Sequence, residues 1–252
     1  MEQVEKPILS VLIVNYNAGH LLSEAVGALF ASALPLEVHV SDNGSLDDSL
    51  WILEDQHGKD SRLHIQRNHA NLGFASGHNR ILPQALAPFL LFLNPDCIVN
   101  PDTLPRLLDF LRDTPEAGMV GCIVRNPDGS EQKASRRRIP DPWIGLVRYL
   151  HLDRLWPNLM AGKHLNLNNQ PLPESPLAVE AISGSLMLVR RQALEEVGPL
   201  DEGYFLHCED LDWFMRFHRA GWQIYLVPGV EVRHHQGACS LNTPVTVEWY
   251  KH

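Results

Sequence analysis

Three acidic segments, far apart in the chain, carry residue types that could bind a charged ligand and move a proton. Asp42 lies in a Ser-Asp-Asn-Gly-Ser segment, Asp96 lies in Asn-Pro-Asp, and Glu209 and Asp210 are adjacent. A carboxylate can accept the N3–H of a uracil or thymine ring, bind a hard divalent cation, or act as general base for a hydroxyl. Each segment also has a structural interpretation: a turn with a helix cap, a proline turn, and favourable charge in a first helical turn.

A pair of histidines, His234 and His235, could add a ligand for a cation bound by Asp96. Imidazole suits manganese-type metals acceptably, although a histidine is more often structural. A divalent cation would neutralise a nucleotide diphosphate and stabilise it as a leaving group. The sequence leaves open which of the two histidines would be the ligand.

The elements that must position these residues follow from hydrophobic periodicity. In the first half of the chain the predicted strands are 8–14, 36–40, 63–66, 89–93 and 118–124, and the predicted helices are 18–32, 46–56, 75–86 and 102–112. Ser45 is expected to cap the second helix. Nearer the C-terminus the pattern predicts a strand-like segment at 178–190 interrupted at Gly184, a helix at 209–220 and a strand at 222–227.

Alternation of strands and helices at this spacing predicts an α/β fold with a mostly parallel central sheet flanked by helices. Ligands bind such sheets at the carboxyl ends of the strands. Polar clusters follow three of the predicted strands, at Asn15-Tyr16-Asn17, Ser41-Asp42-Asn43-Gly44 and Asn94-Pro95-Asp96. The chemistry is therefore expected at this edge of the sheet.

Composition excludes several classes of function. The 252 residues carry a net charge of −9, so nucleic acid is not an expected partner. Four scattered cysteines without a CxxC pair argue against a zinc ribbon or a disulfide framework. The polar N-terminus and the short apolar runs predict neither a secretory signal nor a membrane span, so we expect a cytoplasmic protein whose membrane contact, if any, is peripheral.

The strand and helix pattern is interrupted at residues 125–176, where prolines, asparagines and basic residues are frequent. A helix at 143–155 is the one regular element expected there, and long irregular segments of this kind are usually functional or mobile. The run Arg136-Arg137-Arg138 is interpreted first as a solvated loop. The alternative is a clamp for a phosphate-bearing acceptor or an anionic membrane surface.

Seven ordered motifs make the chain resemble the family 2 glycosyltransferases, in particular their rhamnosyltransferase-like bacterial branch, from about residue 9 to residue 240. The motifs are Val14-Asn15-Tyr16-Asn17, Ser41-Asp42-Asn43-Gly44-Ser45, the Asn71-to-Asn79 segment NLGFASGHN, Leu93-Asn94-Pro95-Asp96, Ser183-Gly184-Ser185 through Arg190, Gly198-Pro199-Leu200-Asp201-Glu202, and Glu209-Asp210-Leu211-Asp212 with Arg216, Gly221, Pro228 and His234.

The resemblance implies a GT-A fold over 1–252, with a nucleotide-binding half at 1–124, a variable insertion at 125–176, and an acceptor and catalytic half at 177–252. It implies Asp210 as catalytic base, with Glu209 helping to position the acceptor or Asp210. It also implies Mn2+ or Mg2+ on Asp96 and His234, although the motif is Asn-Pro-Asp rather than Asp-x-Asp. The other implied roles are nucleotide binding by Asn15, Asn17, Asp42, Gly73, Gly77, Asn79 and Asn94, and contact with the donor sugar at Gly184.

The implied activity is inverting transfer of a sugar from a nucleotide diphosphate donor, dTDP- or UDP-linked, onto a hydroxyl. The branch favours rhamnose from dTDP-rhamnose, and a surface polysaccharide or lipid-linked glycan as acceptor at the inner face of the membrane. One alternative is a nicotinamide-dependent oxidoreductase, which would need GxGxxG after the first strand, where Asn15-Tyr16-Asn17-Ala18-Gly19 stands instead. Another is a non-catalytic module that binds a nucleotide sugar, which would be expected to have lost Asp96, Asp210 or His234.

Overall fold

The structure is a computed structural model that describes residues 6–133, 135–139, 167 and 170–235. The strands in this part of the chain are β1 (Leu9–Asn15), β2 (Leu36–Asp42), β3 (Leu63–Arg67), β4 (Phe89–Leu93), β5 (Cys97–Val99), β6 (Ala117–Arg125), β7 (Arg136–Arg137), β8 (Leu177–Ala178), β9 (Ala181–Ile182), β10 (Leu186–Arg190) and β11 (Gln223–His234). The helices are α1 (Leu21–Phe30), α2 (Ser49–His57), α3 (Gly73–Ile81), α4 (Thr103–Asp113), α5 (Arg191–Val197) and α6 (Glu209–Arg219).

The central sheet has nine strands, with the order β3-β2-β1-β4-β10-β6-β11-β5 and with β8 also paired to β11. Strands β1, β2, β3 and β4 are parallel, and β11 is parallel to β6. Strand β10 is antiparallel to both of its neighbours, β4 and β6. The predicted α/β architecture with a mostly parallel sheet is therefore confirmed, with one antiparallel strand at its centre.

Apolar side chains cover both faces of the sheet, as a three-layer fold requires. On one face Leu22, Leu29 and Val38 belong to a cluster that is closed by α1, α2 and α4. On the other face Phe92 and Trp213 lie edge to face, with ring centroids 4.9 Å apart. The Trp213 indole N–H donates to the Gly198 carbonyl at 2.9 Å, so its burial leaves no polar atom unpaired.

Two of the predicted element boundaries are wrong for identifiable reasons. Helix α2 begins at Ser49, and Ser45 does not cap it, because the Ser45 hydroxyl accepts hydrogen bonds from Asn15 and from the backbone of Asn17. Helix α3 ends at Ile81, where a 3-10 turn containing Pro83 takes over. Proline lacks the N–H that the next helical turn would need.

The last strand is longer than the sequence pattern suggests. Strand β11 runs through Pro228 and Gly229 to His234, and its pairing with β6 shifts register between Val227 and Glu231. A bulge of this kind lets a strand continue past a proline. The extension carries His234 to the edge of the sheet where β1, β2 and β4 end.

The insertion at 125–176 is described only in part. Strand β7, which contains Arg136 and Arg137, pairs antiparallel with β9. The helix expected at 143–155 and Cys239 lie outside the described residues. Cys97, Cys122 and Cys208 are free thiols. In the part of the chain that the structure describes, no helix has the length and apolar character of a membrane span.

Candidate active site

The acidic segments lie at one edge of the sheet because of how its strands run. Strands β1, β2 and β4 are parallel, so Asn15, Asp42 and Asn94 follow one another along that edge. Leu186, the first residue of β10, pairs with Leu93, the last residue of β4, which brings the Ser183–Ser185 segment to the same edge.

Asp42 is buried and is hydrogen-bonded to Asn15, the last residue of β1. Its Oδ1 accepts a hydrogen bond from Asn15 Nδ2 at 2.8 Å, and its Oδ2 accepts one from the Ser45 backbone N–H at 3.3 Å. Asn15 Nδ2 also contacts the hydroxyls of Ser45 and Ser49, whereas the buried Asn15 Oδ1 has no hydrogen-bond partner among the described residues. A carboxylate oxygen can accept a further bond, so Asp42 keeps capacity for a ligand N–H.

Asn17 adopts a left-handed conformation, with φ of 55°, directly after β1. Asparagine tolerates this region better than most residues. The Asn17 side-chain oxygen accepts from the Leu46 backbone N–H at 2.8 Å, and the Asn17 backbone N–H donates to Ser45 Oγ at 3.0 Å. The loops after β1 and β2 are thereby joined into one surface around Asp42.

The glycines of the predicted nucleotide pocket make close backbone approaches. Gly73 has φ of 83°, and a Cβ there would lie 2.3 Å from the Phe205 carbonyl oxygen. A Cβ on Gly77 would lie 2.8 Å from a Val14 methyl, so α3 packs directly on β1. Both glycines are therefore required by packing, and their roles in nucleotide binding stay predictions.

Asn79 is engaged with the segment that follows α5. Its Nδ2 donates to the Leu200 carbonyl at 2.8 Å and to Glu202 Oε1 at 3.0 Å. Its Oδ1 is buried without a hydrogen-bond partner among the described residues. These contacts connect α3 to the second half of the chain, and the predicted approach of Asn79 to ribose and diphosphate stays a prediction.

Asp96 and His234 form a buried pair. Asp96 Oδ1 lies 3.0 Å from His234 Nε2, and the two side chains are 4% and 9% exposed. Asn94 Nδ2 lies 3.1 Å from the same ring nitrogen, while the other nitrogen, Nδ1, lies 2.8 Å from Gln132 Oε1. The structure also distinguishes the two histidines, because His235 contributes its backbone N–H to the Asp96 carbonyl at 3.0 Å.

This arrangement fits a divalent cation. Gln132 Oε1 is an acceptor, so it favours the tautomer of His234 with hydrogen on Nδ1 and a lone pair on Nε2. That lone pair then accepts from Asn94 Nδ2 and also faces the Asp96 carboxylate, and a cation between Nε2 and the carboxylate would relieve the repulsion between them. Carboxylate and imidazole are ligands that manganese-type metals accept.

Asp210 lies against the glycine predicted to contact the donor sugar. A Cβ on Gly184 would lie 2.9 Å from Asp210 Oδ2, so only glycine leaves this carboxylate room. The next residue, Ser185, accepts from the Asn94 backbone N–H at 3.0 Å. Asp210 is thus connected to the Asp96–His234 pair through three contacts: Asp210 with Gly184, Ser185 with Asn94, and Asn94 with His234.

Arg137 was not among the residues predicted for the site, yet its guanidinium forms an ion pair with Asp210 Oδ2. The Arg137 Nε also donates to the Ile182 carbonyl at 3.3 Å. Arg136 is buried and paired with Glu131 at 2.7 Å. The solvated-loop interpretation is therefore wrong for these two residues, because the first side chain is bonded to Glu131 and to the Gln170 and Pro171 carbonyls, and the second to Asp210. The phosphate-clamp alternative is untested.

Glu209 has an unusual protonation state for a glutamate. Burial, and next the charge of Asp210, raise its pKa to about 7, while Arg137 acts in the opposite direction. The side chain is 5% exposed, and its Oε2 has no hydrogen-bond partner among the described residues. A carboxyl group that titrates near neutral pH beside a candidate base is typical of catalytic centres.

The backbone before α6 is strained. His207 and Cys208 both have positive φ values, 70° and 69°. Non-glycine residues rarely adopt this region, and such outliers concentrate at functional sites. They directly precede Glu209 and Asp210, the first two residues of α6, of which Asp210 lies against Gly184.

Comparison with known proteins identifies the family of the chain. The sequence model of glycosyl transferase family 2 matches residues 10–198. N-acetylglucosaminyl-diphospho-decaprenol L-rhamnosyltransferase of Mycobacterium tuberculosis is 31% identical, over 95% of this chain and 80% of its own length. Rhamnosyltransferase WbbL of Escherichia coli is 27% identical, over 77% of this chain and 76% of its own length.

Two solved structures share the fold at 18% identity. Mannosyltransferase PcManGT of Pyrobaculum calidifontis, in complex with GDP-Man and Mn2+, superimposes with a TM-score of 0.64 over 91% of this chain and 57% of its own. S. aureus TarS 1-349 in complex with UDP superimposes with a TM-score of 0.65 over 92% of this chain and 60% of its own. The oxidoreductase alternative is thereby excluded, and the chain is a glycosyltransferase that belongs to glycosyl transferase family 2.

Proposed function

We propose that the chain transfers rhamnose from dTDP-rhamnose to a hydroxyl of a lipid-linked glycan, with inversion at the anomeric carbon. The observation that carries this proposal is the continuity from Asp210 through Gly184 and Ser185 to Asn94. This chain of contacts connects a candidate base to the Asp96–His234 pair. An inverting transfer needs these two functions on opposite sides of one sugar.

The loops after β1 and β2 would hold the base of the nucleotide. Asp42 accepts the N3–H of the pyrimidine, while Asn15 and Asn17 fix the loops on either side of it. The unpaired Asn15 Oδ1 supports this role, because a buried acceptor without a partner costs roughly 1–3 kcal/mol that a bound ligand can recover. Gly73, Gly77 and Asn79 lie along the ribose and the diphosphate.

Asp96 and His234 would hold Mn2+ or Mg2+, with Asn94 beside them. The cation supplies charge stabilisation for the departing diphosphate. Gln132 orients the His234 ring through a hydrogen bond at Nδ1. Residues that contact a metal-ligating histidine commonly have this orienting role.

Asp210 acts as general base. Its carboxylate takes the proton from the acceptor hydroxyl while that oxygen forms a bond to the anomeric carbon, and the bond from that carbon to the diphosphate oxygen breaks. Gly184 leaves the space in which the donor sugar meets Asp210. Glu209 helps to position the acceptor or Asp210, and its own ionisation near pH 7 is expected to set the acidic limb of the transfer reaction.

The identity of donor and acceptor rests on the relatives. Both are named as rhamnosyltransferases, and the mycobacterial one is named for a diphospho-decaprenol acceptor. A lipid-linked acceptor would bring this chain to the inner face of the membrane as a peripheral protein.

The proposal is tested by measuring transfer from dTDP-rhamnose and from UDP-sugars to a polyprenyl-diphospho-N-acetylglucosamine acceptor. Asp210→Asn is compared with Asp212→Asn, a carboxylate in the same helical turn that pairs with Arg216. We expect transfer from dTDP-rhamnose, lowered by a factor of about 100 to 10,000 in Asp210→Asn and nearly unchanged in the control. Equal rates in the two variants would refute the role of Asp210, and transfer from UDP-sugars alone would refute the donor.

A further inference from the structure

A second cluster of metal-ligating side chains lies away from the candidate active site. Glu37 and His39 are two residues apart in β2, so they lie on the same face of the sheet. His64 of β3 pairs with His39 of β2. Glu37 is the second residue of β2, whereas Asp42 is the last, so the cluster extends toward the opposite end of the strand. It belongs to none of the motifs assigned to the transfer reaction.

The three side chains form a compact donor set. One ligand atom from each, a carboxylate oxygen and two imidazole nitrogens, lies within 4.8 Å of the other two. Tetrahedral ligands on bonds of about 2.1 Å lie about 3.4 Å apart, so the widest separation in the set has to shrink by up to about 1.4 Å for all three to bind one cation. His64 is exposed and Glu37 is half-buried, so their side chains can make this adjustment.

His39 gives an independent indication of a missing partner. It is 3% exposed, and neither of its ring nitrogens makes a hydrogen bond within the described residues. Its Nε2 lies 3.2 Å from Glu37 Oε1, an ion-pair contact, whereas its Nδ1 has no partner among the described residues. A buried imidazole nitrogen without a partner is costly, and a cation bound at this ring would remove part of that cost.

The surroundings hold the cluster in place. Glu37 Oε1 accepts from Ser10 Oγ at 2.6 Å, and Ser10 Oγ accepts from the Ala87 N–H at 3.1 Å. The His39 and His64 rings are stacked, with centroids 4.8 Å apart and planes at 24°, so the exposed His64 ring has to turn before both imidazole lone pairs meet one cation. The carboxylate thus has the supporting hydrogen bond that is usual behind a metal ligand.

We propose that Glu37, His39 and His64 form a zinc site that joins the edge strand β3 to β2, separate from the cation site of the transfer reaction. Two imidazoles and one carboxylate with a free fourth position form a ligand set typical of Zn2+, whereas Mn2+ and Mg2+ prefer oxygen-rich sites. Among the described strands, β3 ends the sheet and pairs on one side only. A metal bridge from β2 would hold it against fraying and against pairing with other chains.

The test is a zinc titration of the full chain against a chromophoric indicator, with Co2+ absorption to report four-coordinate geometry. His64→Gln is compared with His20→Gln, an exposed histidine 3.7 Å from Glu24 that has no third ligand among the described residues. Wild type and His20→Gln are expected to bind one equivalent of zinc more tightly than His64→Gln, by at least tenfold. The Tm should rise with zinc in the first two proteins and not in the third.

Two further variants separate this site from its surroundings. Asp96→Asn removes the cation pair of the candidate active site and should keep the zinc equivalent together with its Co2+ spectrum. Glu37→Gln keeps the size of the side chain beside Ser10 but loses the anionic ligand, so it should weaken zinc binding even if His64→Gln has lost stability. Equal zinc affinity in wild type, His64→Gln and Glu37→Gln would overturn the proposal, as would loss of the equivalent in Asp96→Asn alone.

Discussion

The guanidinium of Arg137 donates directly to the carboxylate of Asp210, although 73 residues separate them in the chain. The contact depends on the antiparallel pairing of β7 with β9, which precedes Gly184. A charge of opposite sign beside a candidate base affects when that base is ionised. Arg137 is therefore the first target for a test.

Arg137→Gln should move the acidic limb of the kcat/KM profile to higher pH. The change removes the positive charge that lowers the pKa of Glu209, so Glu209 loses its proton at higher pH. A displacement of one pH unit would lower activity near pH 6.5 by about tenfold and restore it near pH 8.5. Arg138→Gln, one residue further along, is the matched control and should keep the wild-type profile. A loss of equal size at every pH would indicate a role in binding alone.

Gln132→Ala should weaken the cation site without touching a ligand. Gln132 accepts at His234 Nδ1, and loss of such an orienting partner typically lowers metal affinity by about 10- to 100-fold. The measurement is Mn2+ binding by electron paramagnetic resonance, together with the Mn2+ concentration for half-maximal transfer. His234→Ala should abolish binding, whereas His235→Ala should not, because His235 contributes only its backbone N–H to Asp96. Equal losses in the two histidine variants would contradict the assignment of His234.

Asp42→Asn should reduce discrimination between pyrimidines. Uracil has an N3–H that a carboxylate can accept and cytosine has none, so wild type should prefer UDP to CDP. A hydrogen bond to a charged group contributes about 1.5–3 kcal/mol, which corresponds to roughly 10- to 100-fold in affinity. Calorimetry with both nucleotides measures this preference. If Asp42→Asn weakens UDP and CDP equally, Asp42 supports the loop structure through Asn15 and does not read the base.

Glu209→Gln should stabilise the protein at alkaline pH. The ordinary pKa of the group is 4.5, and burial raises it to about 7 in the folded chain. Between these values the folded state keeps a proton that the unfolded chain has released, so the free energy of unfolding falls as pH rises through this window. The variant lacks this penalty and should exceed wild type by about 2–3 kcal/mol above pH 8, and by less than about 1 kcal/mol at pH 5.

Urea unfolding at the two pH values, without nucleotide or metal, measures this difference. Glu195→Gln, an exposed glutamate of α5, serves as control and should show the same stability relative to wild type at both pH values. A constant difference for Glu209→Gln across the range would mean that Glu209 titrates normally.

The fold was largely predictable because its signals are local. Strand β4 has the predicted bounds, and α6 begins where its acidic first turn indicates, since a buried apolar run and an amphipathic helix are encoded by neighbouring residues. Ser45 shows the limit of local reasoning. Its hydroxyl suits a helix cap, but hydrogen bonds from Asn15, the last residue of β1, and from the Asn17 backbone, in the loop after β1, determine its position.

The side chains that form hydrogen bonds with the candidate site residues could not be predicted from the sequence. Gln132 and Arg137 reach His234 and Asp210 through contacts between segments 73 to 102 residues apart, and no periodicity reports such contacts. The basic run at Arg136 was the one available signal. Its burial depends on Glu131 and on the carbonyls of Gln170 and Pro171, which fold back over it.

Strand β10 has a mechanical consequence. It comes from the second half of the sequence but is hydrogen-bonded between β4 and β6 of the first, so no hinge axis can pass between the two halves without rupturing the ladder. Domain closure about such an axis is therefore unavailable to this enzyme. A motion that admits the donor is therefore expected in the connecting segments at the rim, among them the one with left-handed residues before α6.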